Sequence, residues 1–351
     1  MHGSLPPRPC PSCAGRGTAI PPFPEALPWV VRCRRCGLRY ADPQPTDAEL
    51  GAIYDDHYYE QFGFLPSEGP PAAGHRGLPG PGAARGLEAT KRATYRRMLA
   101  LGEAHMPPPV SPPGEGVSGP PPRRRLLDVG CGLGFSLLAA QEAGWEAVGL
   151  DPLGPPRPDE YPGRRILRGR LEDAPATMGE RPFDLVSLID VIEHVRDPVD
   201  TLARAGSVLS PEGVLLVATN DSSSPGARLL GPRWTHYHRA HLWFFTPETL
   251  RGFALRAGLE VVRVAPVRRV YNLDYIASIL ARGDNFELAR RVAELALARV
   301  PAPIRSRPWP PLPEGFVLVA RRDPARRRPG SPRPMPRAPE ATAPEGTPSE
   351  R

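Results

Sequence analysis

Short apolar runs alternate along this chain with longer stretches in which apolar residues recur every three or four positions. From Leu126 to about Arg322, the runs 125–129, 146–150, 165–168, 183–189, 213–219, 260–267 and 315–321 read as strands. Segments 134–143, 197–208 and 246–257 read as helices set between them. This alternation predicts an α/β fold with a doubly wound, seven-stranded parallel sheet. A helix is also predicted from Leu87 to His105, with Tyr95, Met98, Leu99 and Leu101 on one face. Thr46-Asp47-Ala48-Glu49-Leu50 has the pattern of a capped helix start. The interval 268–314 carries one more predicted helix, Asp284 to Val300, and then a proline-rich return.

The composition changes this picture at the edges. Fifty prolines and 35 glycines in 351 residues are too many for core alone, so part of the chain is linker. Residues 66–86 and 107–122 are the predicted spacers, and the tail from 323 to 351 is expected to be disordered because it has little to bury. The layout expected is a unit at 1–45, bridging helices with linkers at 46–122, the α/β domain at 123–322 and the tail.

The formal charge of +7 says little about partners. Lys91 is the only lysine among 45 cationic residues, so the arginine excess is a chain-wide bias that argues weakly for nucleic acid. No run approaches the roughly 20 apolar residues needed to cross a bilayer, and Cys10 is reached without an apolar signal core. A cytoplasmic protein without a membrane role is expected, and the sequence carries no signal of its oligomeric state.

Cys10-x2-Cys13 and Cys33-x2-Cys36-Gly37, nineteen residues apart, have the spacing of a structural zinc ribbon. Each pair offers two thiolates from one turn, and four thiolates leave no open position for catalysis. Arg32, Arg34 and Arg35 flank the second knuckle, where a packing or lid role is favoured over contact with nucleic acid.

The densest chemical signal is Leu126-Leu127-Asp128-Val129-Gly130-Cys131-Gly132-Leu133-Gly134. Glycines at every second position let the backbone approach a ligand closely. A dinucleotide site would want the wider G-x-G-x-x-G gap. One helix later, Ala147-Val148-Gly149-Leu150-Asp151 ends a second strand in a carboxylate placed to accept both ribose hydroxyls.

Together these two motifs resemble those of class I S-adenosylmethionine (SAM) methyltransferases. The resemblance implies a Rossmann-like sheet and SAM bound by Asp128, Gly130, Cys131, Gly132, Gly134 and Asp151. It also places Leu171 and Glu172, with Asp173 behind them, beside the adenine, and brings Ile189 and Asp190 to the cofactor edge; the alternative for the 167–173 loop is helix capping. Phe183 to Val195, with Glu193-His194-Val195 and then Asp197-Pro198, is similar to a segment of the ubiquinone-pathway O-methyltransferases. In those enzymes an acid at the place of Asp190, with the Glu and His, can hold a divalent ion; Asp190 is one carbon shorter than the usual Glu. Alternatively His194 is a general base, with an ordinary pKa of about 6.5. Glu193 and His194 could equally serve to fix the turn.

Trp234 to Leu250 concentrates three histidines among aromatics, with Thr246 and Pro247 as a helix start. His241 is the second candidate base or substrate ligand, and a zinc site here is not expected from the spacing. Tyr58-Tyr59 has a counterpart in zinc-ribbon methyltransferases, where the N-terminal region folds over the cofactor. The whole layout is similar to small-molecule methyltransferases of sugar and natural-product pathways. It implies methyl transfer to a small-molecule oxygen, with His194, His241 and Glu193 at the chemistry. The alternatives are a ribosomal-RNA methyltransferase and a non-catalytic SAM-binding module.

Overall fold

The computed structural model describes residues 9–15, 19–54, 80–108, 123–154, 162–172, 181–276, 295, 299–309 and 312–326. Three short strands open the chain: β1 (Ala19–Ile20), β2 (Val30–Cys33) and β3 (Arg39–Ala41). Helix α1 (Asp47–Ile53) follows, with Thr46 and Glu49 closing the expected reciprocal cap. Helix α2 (Gly80–Glu103) starts seven residues before the expected Leu87. Proline is tolerated in a first helical turn, so the Gly80-Pro81 start joins the helix instead of forming spacer.

The central sheet uses β4 (Arg125–Val129), β5 (Glu146–Asp151), β6 (Ile166–Arg168), β7 (Phe183–Ile189) and β8 (Leu209–Thr219). After the two-residue β9 (Trp243–Phe244), β10 (Leu259–Arg269) and β11 (Leu312–Arg322) complete it. The strand order is β10-β11-β8-β7-β4-β5-β6. The sheet is mixed, a correction to the wholly parallel expectation: β11 runs antiparallel to both β10 and β8. An antiparallel return needs no crossover helix, which the alternation rule cannot anticipate.

Neighbouring strand residues serve opposite faces. Leu126, Leu185 and Leu216 pack with Met98, Leu99 and Leu137, from α2 and α3 (Phe135–Glu142). Leu127, Val186 and Leu215 pack with Leu202, Leu250 and Phe253, from α4 (Pro198–Ser207) and α6 (Pro247–Arg256). Between these helices, α5 (Pro225–Leu230) follows β8, and α7 (Ala302–Arg305) precedes β11. Caps begin two of the helices where the sequence says they should: Asp197 accepts from Val199 and Asp200 N–H, and Thr246 from Thr249 N–H.

The N-terminal unit is continuous with this second face. β9 adds to β3, giving a four-stranded sheet β1-β2-β3-β9, and Cys10, Val31, Cys33, Leu38 and Tyr40 belong to the same apolar cluster as the central sheet. Arg256 donates to the carbonyls of Pro11 and Ser12 at 2.8 and 3.1 Å. The spacer segments 66–79 and 109–122, most of the 284–300 helix, Tyr58, Tyr59, Asp173 and the tail beyond 326 lie outside the described residues. Among those described, no helix is long and apolar enough to cross a membrane.

Candidate active site

Strand order reverses about β4 and β7, with β5 and β6 on one side and β8 on the other. In open α/β sheets the crevice for a ligand lies at such a switch point, beyond the carboxyl ends of the strands. Here those ends deliver Val129, Asp151 and Ile189.

The loop after β4 turns through Gly130, Gly132 and Gly134, all at positive φ (69°, 53° and 73°). A Cβ on Gly130 would sit 2.4 Å from Val191 Cγ2, so no side chain fits there. Asp151 shapes the same loop: one oxygen accepts from Gly132 N–H at 2.9 Å, the other from Leu153 and Gly154 N–H at 3.0 Å each. Cys131 is buried against Gly149, where a Cβ would lie 2.4 Å from its sulfur. Leu171 is buried in the core cluster, and Glu172 is exposed beside it.

Asp128 faces inward instead of toward a ligand. It is 3 % exposed and accepts from the hydroxyls of Ser136 and Ser187, so it ties β4 to α3 and β7 and positions the loop. Burial pushes its carboxyl up to about 6, against the two serine hydroxyls, which favour the charged form. The stability this group contributes is fully present below its ordinary value of 3.8 and is lost as pH rises through about 6. Asp128→Asn is therefore expected to gain on the parent chain as pH rises from about 4 to about 6, with a constant difference above that. Urea unfolding of both proteins across this range checks the sign.

Asp190, at the end of β7, has a left-handed backbone (φ 57°), costly for a residue other than glycine. Its carboxylate is clamped by Arg269 of β10, with Nη1 at 2.7 Å and Nη2 at 2.5 Å. Burial alone would raise this carboxyl, but the Arg269 charge and hydrogen bonds outweigh it and hold the group below the usual range. The ion set implied by the resemblance, Asp190 with Glu193 and His194, therefore does not assemble, because Asp190 is committed to Arg269. Arg269→Met is expected to cost about 2 kcal/mol, below the 3–5 typical of a fully buried pair because Asp190 is 33 % exposed. Adding Asp190→Asn should restore most of the loss, measured by urea unfolding.

Glu193, His194 and His241 do come together, each with a ligand atom within 4.8 Å of the others. Such a set has the donors for a metal ion, but it takes only His241 from the histidine-rich loop, whose own spacing is not expected to give a zinc site. Backbone pairing explains the meeting: Leu242 and Trp243 N–H donate to the Glu193 carbonyl at 2.8 and 3.2 Å. His194 Nδ1 lies 3.0 Å from the Ala240 carbonyl oxygen and 2.7 Å from the Tyr54 hydroxyl. A carbonyl only accepts, so Nδ1 carries the proton and Nε2 keeps its lone pair. His241 Nδ1, 2.9 Å from the His236 carbonyl, is assigned the same way. Burial pushes His194 down to about 4 and His238 down to about 3, and holds His241 well below its ordinary value. Glu193 is 1 % exposed with no well-formed hydrogen bond to either oxygen; burial, then the Asp190 charge, pushes it up to about 8. At neutral pH the cluster is thus uncharged, with imidazole lone pairs available. Arg269 and Tyr54 escaped sequence reasoning. Nothing local marks either residue as part of a site.

The four N-terminal cysteines also converge. Cys10 and Cys36 sulfurs are 3.6 Å apart, as are those of Cys13 and Cys33, and all four lie within 4.8 Å of one another. A tetrahedral zinc with bonds of about 2.3 Å needs sulfurs about 3.8 Å apart. The two turns are equivalent: Ala14 (φ 55°) and Gly37 (φ 79°) follow the second cysteine of each and donate to the carbonyl of the first, at 2.8 and 2.9 Å.

Residues 96–264 match a family described as a methyltransferase domain. The chain is 32 % identical over 155 residues to the ubiquinone biosynthesis O-methyltransferase of Azorhizobium caulinodans, a match covering 40 % of this chain and 60 % of that protein. It is also 32 % identical over 164 residues to the tRNA U34 carboxymethyltransferase of Methylococcus capsulatus, covering 44 % and 50 % respectively. It thus spans between half and about three-fifths of the length of these relatives. Among solved structures, the 1,6-didemethyltoxoflavin-N1-methyltransferase of Burkholderia thailandensis superposes with a TM-score of 0.40 at 18 % identity, over 74 % of this chain and 94 % of that one.

Proposed function

We propose that this chain, whose residues 96–264 match a methyltransferase-domain family, transfers the methyl group of SAM to an oxygen of a small-molecule acceptor. The observation that carries this reading is the glycine loop Gly130–Gly134, tied to Asp151, in the same fold as the cluster of Glu193, His194 and His241. The residues fit the cofactor. Asp151 offers a carboxylate for the ribose hydroxyls, Leu171 and Glu172 follow β6 toward the adenine, and Ile189 and Asp190 bound the edge where the sulfonium would lie. Bound there, SAM supplies an electrophilic methyl group.

The chain's own work is then positioning and proton handling. His194 Nε2 takes the acceptor's hydroxyl proton, and the neutral state of the imidazole leaves it ready to do so. Glu193, buried with a carboxylate oxygen within 4.8 Å of the histidine nitrogens, orients the pair. His241 completes the acceptor pocket. Arg269 keeps Asp190 ionised and out of this proton exchange. We assign zinc to the four cysteines in a structural role, and we take 1–45, 46–122, 123–322 and 323–351 as the working divisions of a cytoplasmic protein.

An RNA acceptor is the second reading, since one relative is named for a tRNA nucleotide. Incubating zinc-replete protein with SAM and separate panels of phenols, hydroxylated sugars and unmodified tRNA, then quantifying S-adenosylhomocysteine, tests both. Turnover on a small hydroxylated compound is the expected result. Turnover confined to tRNA would replace the reading, and SAM binding without turnover on any panel would point to a non-catalytic module.

A further inference from the structure

The N-terminal sheet and the core meet along a groove of about 330 Å³ whose lining shares no residue with the glycine loop or the histidine cluster. Three arginines from three elements converge on it: Arg32 of β2, Arg39 of β3 and Arg228 of α5, together with Ser222, Ser223 and Thr246. Among the described residues, none of the three forms an ion pair with a carboxylate. Three arginines that the fold does sequester are paired. Arg269 is paired with Asp190, Arg164 with Glu88 and Arg125 with Glu146.

Arg39 is held in place without being neutralised. Its Nη1 donates to the Ser222 carbonyl at 2.5 Å, and its Nε is buried with no hydrogen-bond partner. The adjacent acid, Asp221, accepts from Ser223 N–H and Oγ–H at 2.7 and 2.5 Å. Gly37, also on the lining, leaves open space where a side chain would stand. Like charges gathered around one cavity repel, so the arrangement is one that an anion would stabilise.

The geometry points to a phosphate site: we propose that this groove binds a phosphate monoester group. Each guanidinium presents a planar fork matched to a pair of oxygens. A carboxylate has two oxygens and is satisfied by one fork. A phosphodiester offers two non-bridging oxygens and a single charge. A monoester offers three terminal oxygens and nearly two charges, the match for three guanidinium groups lining one groove. The Thr246 hydroxyl adds a polar group to the same wall. This site lies outside the transfer reaction and stands whether or not SAM binds.

Calorimetric titration of the full-length, zinc-replete chain with inorganic phosphate at fixed ionic strength tests it. The expected result is one phosphate per chain, with Arg32→Met and Arg228→Met each weakening binding about tenfold, the worth of roughly one charge-assisted hydrogen bond. Both side chains are exposed, so an unchanged melting temperature is expected and separates ligand loss from misfolding. Arg39→Lys should weaken binding as well, because a point charge cannot form the fork. No saturable binding, or the same affinity in both methionine variants, overturns the proposal. So does a short single-stranded RNA that binds more tightly than phosphate and is displaced by salt, which would make this face a nucleic-acid contact.

Discussion

Asp151→Ala is expected to raise the dissociation constant for SAM by about 100-fold or more. Two ribose hydroxyls donating to one carboxylate are each worth about 1.5–3 kcal/mol. Losing both removes about 3 kcal/mol, and 1.4 kcal/mol is a factor of ten. The side chain also has a second task, because it anchors Gly132 N–H and the Leu153–Gly154 turn. Asp151→Asn separates the two. It keeps one acceptor for the loop but loses the charge, so about tenfold weakening is expected. Calorimetry on zinc-replete protein decides between them: near-parental affinity in the alanine variant would remove Asp151 from the cofactor site.

Stripping the zinc we assign to the four cysteines should lower the melting temperature by roughly 10–20 °C. Structural zinc contributes on the order of 10 kcal/mol to small metal-dependent folds, and at this domain size each kcal/mol shifts the midpoint by about 2–4 °C. Half of the metal's contribution is enough for the range given. The loss spreads beyond the cage because Val31, Cys33, Leu38 and Tyr40 pack directly on the core. Cys33→Ser should act like the chelator, since Cys33 is fully buried. Calorimetric scans paired with metal analysis check this, and a metal-free chain that melts at the parental temperature would make the cage dispensable.

Much of the architecture was legible because it depends on local pattern. The six- and seven-residue strands, the Thr246-Pro247 helix start and the glycine loop each announce themselves within a few positions. The pairings that define the site do not. Asp190 and Arg269 are 79 residues apart, and they meet only because β11 inserts between β8 and β10 and sets how β10 lies. His241 reaches Glu193 through backbone hydrogen bonds from Leu242 and from Trp243, the latter opening a two-residue strand too short to show any alternation. The cysteine cage was legible from spacing alone, but its attachment to the core was not, because that depends on the partner β3 finds.

That partner, β9, is claimed from two directions. Trp243 and Phe244 pair with Tyr40 and Arg39, and both aromatic side chains are almost wholly buried. A chain begun at residue 46, with the β9 edge bare and two aromatics in water, is expected to self-associate, because an unpaired edge strand is a template for further pairing. Light scattering would register the difference. Trimming this protein at residue 46 is thus a route to insoluble material, and anyone seeking crystals or an acceptor screen is better served by keeping the cysteine-bearing end attached.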